Sequence, residues 1–227
     1  MRHTGKPVLV LFAAVTLLAF GTLATADDEK PKEGDRLVER WWQHAASFSN
    51  ALSPIADKSG ASCQLGQNGK IWFLHGTSGN AGPVVRTCTI PTGKKLFFPI
   101  VNNVCIPFPG ETIEQNVQAC KDFIDQVDVR ELEVDGKERN RLIRRRTQPN
   151  GFALTLPEDN IFDFPDLKFD TPAGVYVGVA DGFWALLKPL AAGDHTIHIK
   201  GGITGGFAVD VTYNLKVVEP GPIVPRE

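Results

Sequence analysis

Phe207-Ala208-Val209-Asp210-Val211-Thr212-Tyr213-Asn214-Leu215-Lys216-Val217 decides the fold class. Its odd positions are all apolar. Its even positions are small, polar or charged. A period of two places the apolar set on one side of an extended strand and the polar set on the other, so this segment is predicted as a strand with one buried and one wet face. Antiparallel sheets tolerate that arrangement.

The same pattern recurs upstream. His195–Lys200 reads as the preceding strand, with Ile197 and Ile199 inward. Val175, Val177 and Val179 alternate before Asp181-Gly182, which reads as a turn ahead of Phe183–Leu187. Phe152, Leu154 and Leu156 mark another strand. Lys70–His75, Val84–Ile90 and Lys95–Val101 are short apolar runs separated by Gly82-Pro83 and Pro91-Thr92-Gly93. Asp135-Gly136 joins Val129–Val134 to a second arm from Lys137 to about Arg145, a hairpin with a type I′ turn. The whole reads as mainly β: a β-sandwich or jelly-roll-like pair of antiparallel sheets.

Two segments switch to helical spacing. Over about 35–49, Leu37, Val38, Trp41, Trp42, Ala45 and Phe48 share one arc, with Asp35 as the expected cap. This Trp-rich face must dock, and the outside of a sheet is the expected place. Over 113–125, Ile113, Val117, Cys120 and Ile124 share a face, and Thr112 with Gln115 has capping-box spacing.

The N-terminus has another purpose. Arg2 and Lys6 precede an apolar stretch from Pro7 to Ala24 that ends in Ala24-Thr25-Ala26. A basic start, an apolar middle and a small-x-small exit predict a cleavable signal peptide over 1–26 rather than a membrane anchor. Residues 27–34 read as a flexible lead, 35–219 as one domain and 220–227 as a loose Pro-rich tail. Removing 26 residues from 227 leaves 201, enough for one core. Arg2 and Lys6 leave with the signal, so the net charge goes from −2 to −4. A mildly acidic chain lacks the electrostatic footprint of a nucleic-acid binder. The expected location is periplasmic or secreted, with an extracytoplasmic ligand, glycan or protein as partner and no membrane anchor after cleavage.

Cys63, Cys88, Cys105 and Cys120 are even in number and contain no C-x-x-C pair, which favours two disulfides over zinc. Three pairings exist. Cys63–Cys88 with Cys105–Cys120 is favoured because each closes a short loop.

Candidate chemistry is scattered. His195 and His198 look like a metal pair, but three-residue spacing on a strand sends them to opposite faces, with His195 on the side of Ile197. His75-Gly76-Thr77-Ser78-Gly79 is not a nucleophile elbow, because its glycine spacing is wrong. Arg139, Arg141, Arg144, Arg145 and Arg146 face Asp128, Glu131, Glu133 and Asp135 on the preceding arm, so cross-strand pairing is expected to absorb their charge. Glu158, Asp159, Asn160, Asp163, Asp166 and Asp170 offer oxygens to a structural calcium ion, though Asp and Asn equally suit turns. No other cofactor is expected. Trp72 and Trp184 are candidate sugar-stacking rings, Trp184 placed near a rim by the adjoining turn, against the commoner role of buried packing. The ligand-binding candidates are therefore Trp72, His75, Asp181, Trp184 and His198, with no catalytic residue assigned.

The segments Cys63–Leu74, Arg86–Lys94, Leu96–Ile100, Asp181–Trp184 and Gly193–His198 together resemble a family of uncharacterised bacterial exported proteins. The resemblance implies an extracytoplasmic location and brings no activity. The strand over Gly193–Lys200 and its successor resemble the closing hairpin of Ig-like exported modules, a likeness of fold alone. The leading reading is a non-catalytic binding sandwich. The alternatives are a hydrolase with dispersed residues, His75, Ser78, Asp181 and His198 among them, and a structural envelope protein.

Overall fold

The computed structural model describes residues 33–163 and 171–219. The expected signal peptide, residues 27–32 of the lead, the tail, Asp166 and Asp170 lie outside them. Among the described residues, α1 (Glu33–Ala46) and α2 (Ile113–Asp125) accompany nine strands. These are β1 (Ile71–Phe73), β2 (Val84–Pro91), β3 (Lys95–Cys105), β4 (Val129–Val134), β5 (Lys137–Glu138), β6 (Arg144–Leu156), β7 (Gly174–Leu187), β8 (Gly193–Gly202) and β9 (Ala208–Val218). One sheet has the order β1-β3-β7-β6, the other β2-β9-β8-β4-β5. The mainly β sandwich with two added helices is thus the observed architecture.

The opening stretch behaves as its alternation requires. Val209, Val211, Tyr213, Leu215 and Val217 are buried. They meet Leu132, Ile197 and Ile199 from their own sheet and Trp72, Leu74, Leu96, Phe98, Ile100, Ala185 and Leu187 from the other. This is the inter-sheet core, and each large side chain in it stabilises the fold by about 1.5–3 kcal/mol.

The other face of the four-stranded sheet is a second core. Leu37, Val38, Trp41, Trp42 and Ala45 of α1 close over Phe73, Phe97, Phe152, Leu154 and Trp184. The Trp-rich face therefore docks on the outside of a sheet, as its periodicity requires. The helix runs from Glu33, so Asp35 lies in its first turn rather than capping it, and residues 33–34 belong to α1 rather than to a lead. It stops at Ala46, where the Ser47 hydroxyl and amide both donate to the His44 carbonyl. The second helix matches its predicted span, with both arms of the Thr112/Gln115 capping box formed.

Three expectations need correction. First, the sheets are mixed: β1 pairs with β3 and β2 with β9 in parallel. Alternation fixes which face of a strand is buried but carries no information on direction. Second, Asp181-Gly182 is no turn. It lies inside the continuous strand β7. A Cβ on Gly182 would stand 2.8 Å from the Asn102 Cα and Cβ and the Val101 carbonyl oxygen, so the glycine serves close strand packing. Third, the Asp135-Gly136 turn forms, with φ of 53° and 68°, but its second arm ends at Glu138. Arg139 N–H donates to the Leu132 carbonyl, and Leu132 N–H donates to the Asn140 side chain. A 3₁₀ turn over Asn140–Leu142 then carries the chain to the other sheet as β6.

Both favoured disulfides are present. Cys63–Cys88 ties the loop before β1 to β2, and Cys105–Cys120 ties the end of β3 to α2.

Candidate functional site

The singled-out side chains fall on separate surfaces. His75 follows β1 on the α1 side of the four-stranded sheet, where it contacts Trp41 and stacks on His44. Asp181 is on the opposite side of that sheet, in a cavity of about 260 Å³ shared with Val117, Cys120 and Lys121 of α2. His198 is on the outer face of the five-stranded sheet, bonded to Asp210 at 2.9 Å. Ser78 is exposed. The sheets themselves separate these groups, so no direct constellation joins His75, Asp181 and His198. His195 bonds instead to Asp135 and the Ala191 carbonyl, apart from His198. Asp135 raises its pKa.

Trp72 and Trp184 are corrections of place. Trp72 sits in the inter-sheet core, and Trp184 is fully buried beneath α1, stacked on Phe97 at 5.1 Å and 3°. Neither ring presents a face to a sugar. Trp184 is buried because the turn expected to expose it is part of β7.

The arginine cluster also departs from expectation, since β6 leaves the hairpin. Arg145 meets Asp181 through two nitrogens and Asp125 through the third. These charge-assisted bonds, the Asp181 one foremost, raise its pKa. Arg130 lies over the Phe183 ring at 4.5 Å. In the acidic loop, Asp163 accepts from the backbone amides of Asn160 and Thr171, and buried Asn160 donates to the Pro157 and Thr171 carbonyls. These bonds make a turn, the alternative weighed against calcium. No group of three or more metal-ligating side chains occurs among the described residues.

His44 and His75 form a coupled pair. His44 Nε2 faces the Leu65 carbonyl at 2.9 Å, so it carries the proton and donates. Its Nδ1 must then accept from His75 Nε2 at 3.2 Å. Burial pulls both pKa values down, and the Arg86 charge lowers His75 further. Both rings therefore fold neutral. The sign follows: a depressed base contributes full stability above its unfolded pKa near 6.5 and loses it as pH falls toward the folded value. The contribution of this pair to denaturant stability should be flat near pH 7.5 and decline below about 6.5, with a limiting slope of about 1.4 kcal/mol per pH unit per histidine, opposed in part by His195, whose raised pKa adds stability as pH falls. His75→Asn should remove about one proton from that slope; an unaltered slope would assign the decline to other groups.

A larger cavity than the one at Asp181 lies elsewhere. A groove of about 620 Å³ opens between the end of β3, the 106–112 connector, the first turns of α2 and Tyr176 of β7. Val104, Ile106, Phe108, Ala119, Phe162 and Tyr176 supply apolar walls, and Glu111, Gln115 and Asn116 supply polar atoms. Three local devices hold it: the Cys105–Cys120 bridge, the capping box and Glu111, whose Oε2 accepts from Phe108 N–H at 3.0 Å and Asn116 Nδ2 at 3.1 Å. Tyr176 Oη donates to the Pro172 carbonyl at 2.7 Å. Sequence reading missed this site. Its one signal was the apolar, Pro-rich run Ile106-Pro107-Phe108-Pro109 directly before a capped helix. An apolar concavity of this size with a few convergent polar groups suits noncovalent capture of a small molecule. Two disulfides are present, and no described helix is long and apolar enough to cross a membrane. Comparison with protein-family models, with curated proteins and with solved structures gave no match to the chain.

Proposed function

We propose that this is an exported, non-catalytic binding protein that holds a small, mainly apolar molecule in the groove between β3, α2 and Tyr176. The observation that carries this reading is the groove itself: about 620 Å³, apolar-walled and braced by a disulfide. That volume lies within the range of ligand pockets, and a covalently braced wall lowers the ordering cost of binding. The separation of His75, Asp181 and His198 weighs against the hydrolase alternative, and the size of the groove against a purely structural envelope role. Export is supported by the signal-like sequence over 1–26 and by both disulfides, which suit an oxidising compartment.

The test is thermal unfolding of the mature chain against a panel of small apolar compounds. A ligand at 100 times its dissociation constant adds about 2.7 kcal/mol, a readily measured shift of the midpoint. Ala119 is an exposed groove-lining residue, so Ala119→Trp should fill the groove without disturbing the core. The variant is expected to lose at least tenfold in affinity at unchanged unliganded stability. Undiminished binding by this variant would place the site elsewhere.

A further inference from the structure

We propose that the groove selects a cationic apolar ligand, an ammonium group attached to an aliphatic or aromatic body, with the Glu111 carboxylate as its counter-charge. This inference rests on the groove being a binding site and adds the chemistry of its occupant. Glu111 is the one carboxylate among the described lining residues, and no lysine, arginine or histidine is among them. Its two oxygens are not equivalent. Oε2 takes both the Phe108 amide and the Asn116 side chain, which fixes the carboxylate and holds its pKa below the usual range, the Phe108 bond foremost. No described residue donates to Oε1. The carboxylate is therefore oriented and ionised, with one acceptor oxygen left over.

The surrounding groups agree with a cation. Phe162 and Tyr176 bring two aromatic rings to the lining. Aromatic faces attract an ammonium group within about 6 Å of their centres. The N-terminus of α2 also borders the groove and would favour an anion if its amides were free. The Thr112 side chain and carbonyl occupy the Gln115 and Asn116 amides, while the Gln115 side chain accepts from the Thr112 amide. The capping box thus satisfies two of the four amides that would otherwise draw an anion to this wall.

Phenylbutylamine, phenylbutanol and phenylbutyrate share a body and differ in end-group charge. Calorimetric titration of the mature chain with all three, at low and high salt, reads the inference directly. The amine is expected to bind about tenfold more tightly than the alcohol, and the carboxylate more weakly than either, with the spread shrinking as salt screens the exposed charge. Glu111→Gln keeps an acceptor for Phe108 N–H and removes the charge, so it should bring amine and alcohol to equal affinity. Equal binding of all three, or an unchanged preference in Glu111→Gln, would overturn the cation while leaving the groove as a site. Binding of none, or binding that Ala119→Trp does not weaken, would overturn both.

Discussion

Replacing Arg86 with methionine should destabilise the protein by at least about 4 kcal/mol. The estimate follows from about 1–3 kcal/mol for each buried polar group left without a partner, here the Asp57, Ile55 and Gly76 carbonyls, since the His75 carbonyl keeps the Tyr213 hydroxyl. Arg86 is 1 % exposed on the inward face of β2. Its Nε donates to the Asp57 carbonyl at 2.7 Å and its Nη2 to the Ile55 carbonyl at 3.1 Å. Its Nη1 reaches the His75 carbonyl at 2.7 Å, the Gly76 carbonyl at 3.1 Å and the Tyr213 hydroxyl at 2.8 Å. One planar fork thus joins the 55–57 loop, the segment after β1, β2 and β9. Methionine fills similar volume but satisfies none of these acceptors. Lysine has three donors on one atom and cannot span the fork, so Arg86→Lys should recover only part of the loss. Urea unfolding with an unchanged m-value is the measurement. A loss below about 1 kcal/mol for Arg86→Met would show that water replaces the guanidinium without penalty.

Trp41→Ala is expected to cost about 3–5 kcal/mol, the usual range for deleting a large buried aromatic. Trp41 is 1 % exposed, and its Nε1 donates to the Leu74 carbonyl at 2.8 Å. Its ring meets Trp42 at 5.0 Å and Trp184 at 5.3 Å, both edge to face, and His75 at 4.9 Å. It therefore binds α1 to the sheet through packing and one buried hydrogen bond. Trp41→Phe keeps most of the packing and drops the bond, for an expected loss of about 1 kcal/mol from the bond itself. Hydrogen exchange should show α1 losing protection in Trp41→Ala well before the β8–β9 pair. Simultaneous loss in both would mean that helix and sandwich unfold as one unit.

Both variants touch residues that sequence reading handled unequally. Trp41 was legible, because its spacing from Leu37, Val38 and Ala45 leaves it no option but a buried helical face. Arg86 was not. It occupies an inward position between Val84 and Cys88, where alternation calls for an apolar residue, and its acceptors come from segments up to 127 positions away. The arginine cluster shows the same limit. The residues of a predicted hairpin were correctly identified as charged, yet the Arg145 partners lie on α2 and β7 because the chain leaves the hairpin after Glu138.

The candidate groove was almost illegible. Its walls come from β3, the connector, α2 and β7, and a concavity among four separated segments leaves no period in any one of them. The carboxylate at its mouth is ordinary in sequence. Only its hydrogen bonds to Phe108 and Asn116 distinguish it.

By itself, the sequence determined what is local: two helices from 3.6-residue spacing, strands and their buried faces from alternation, and the α2 cap; among three disulfide pairings it favoured the one with short loops. These properties depend on neighbours a few positions apart. Tertiary structure alone decided strand direction, the destination of β6, the burial of Trp184, the partners of Arg86 and Arg145, and the existence of the groove. Each of these depends on which distant segments meet, and hydrophobic patterning is silent on that because every inward face can bury itself against several others.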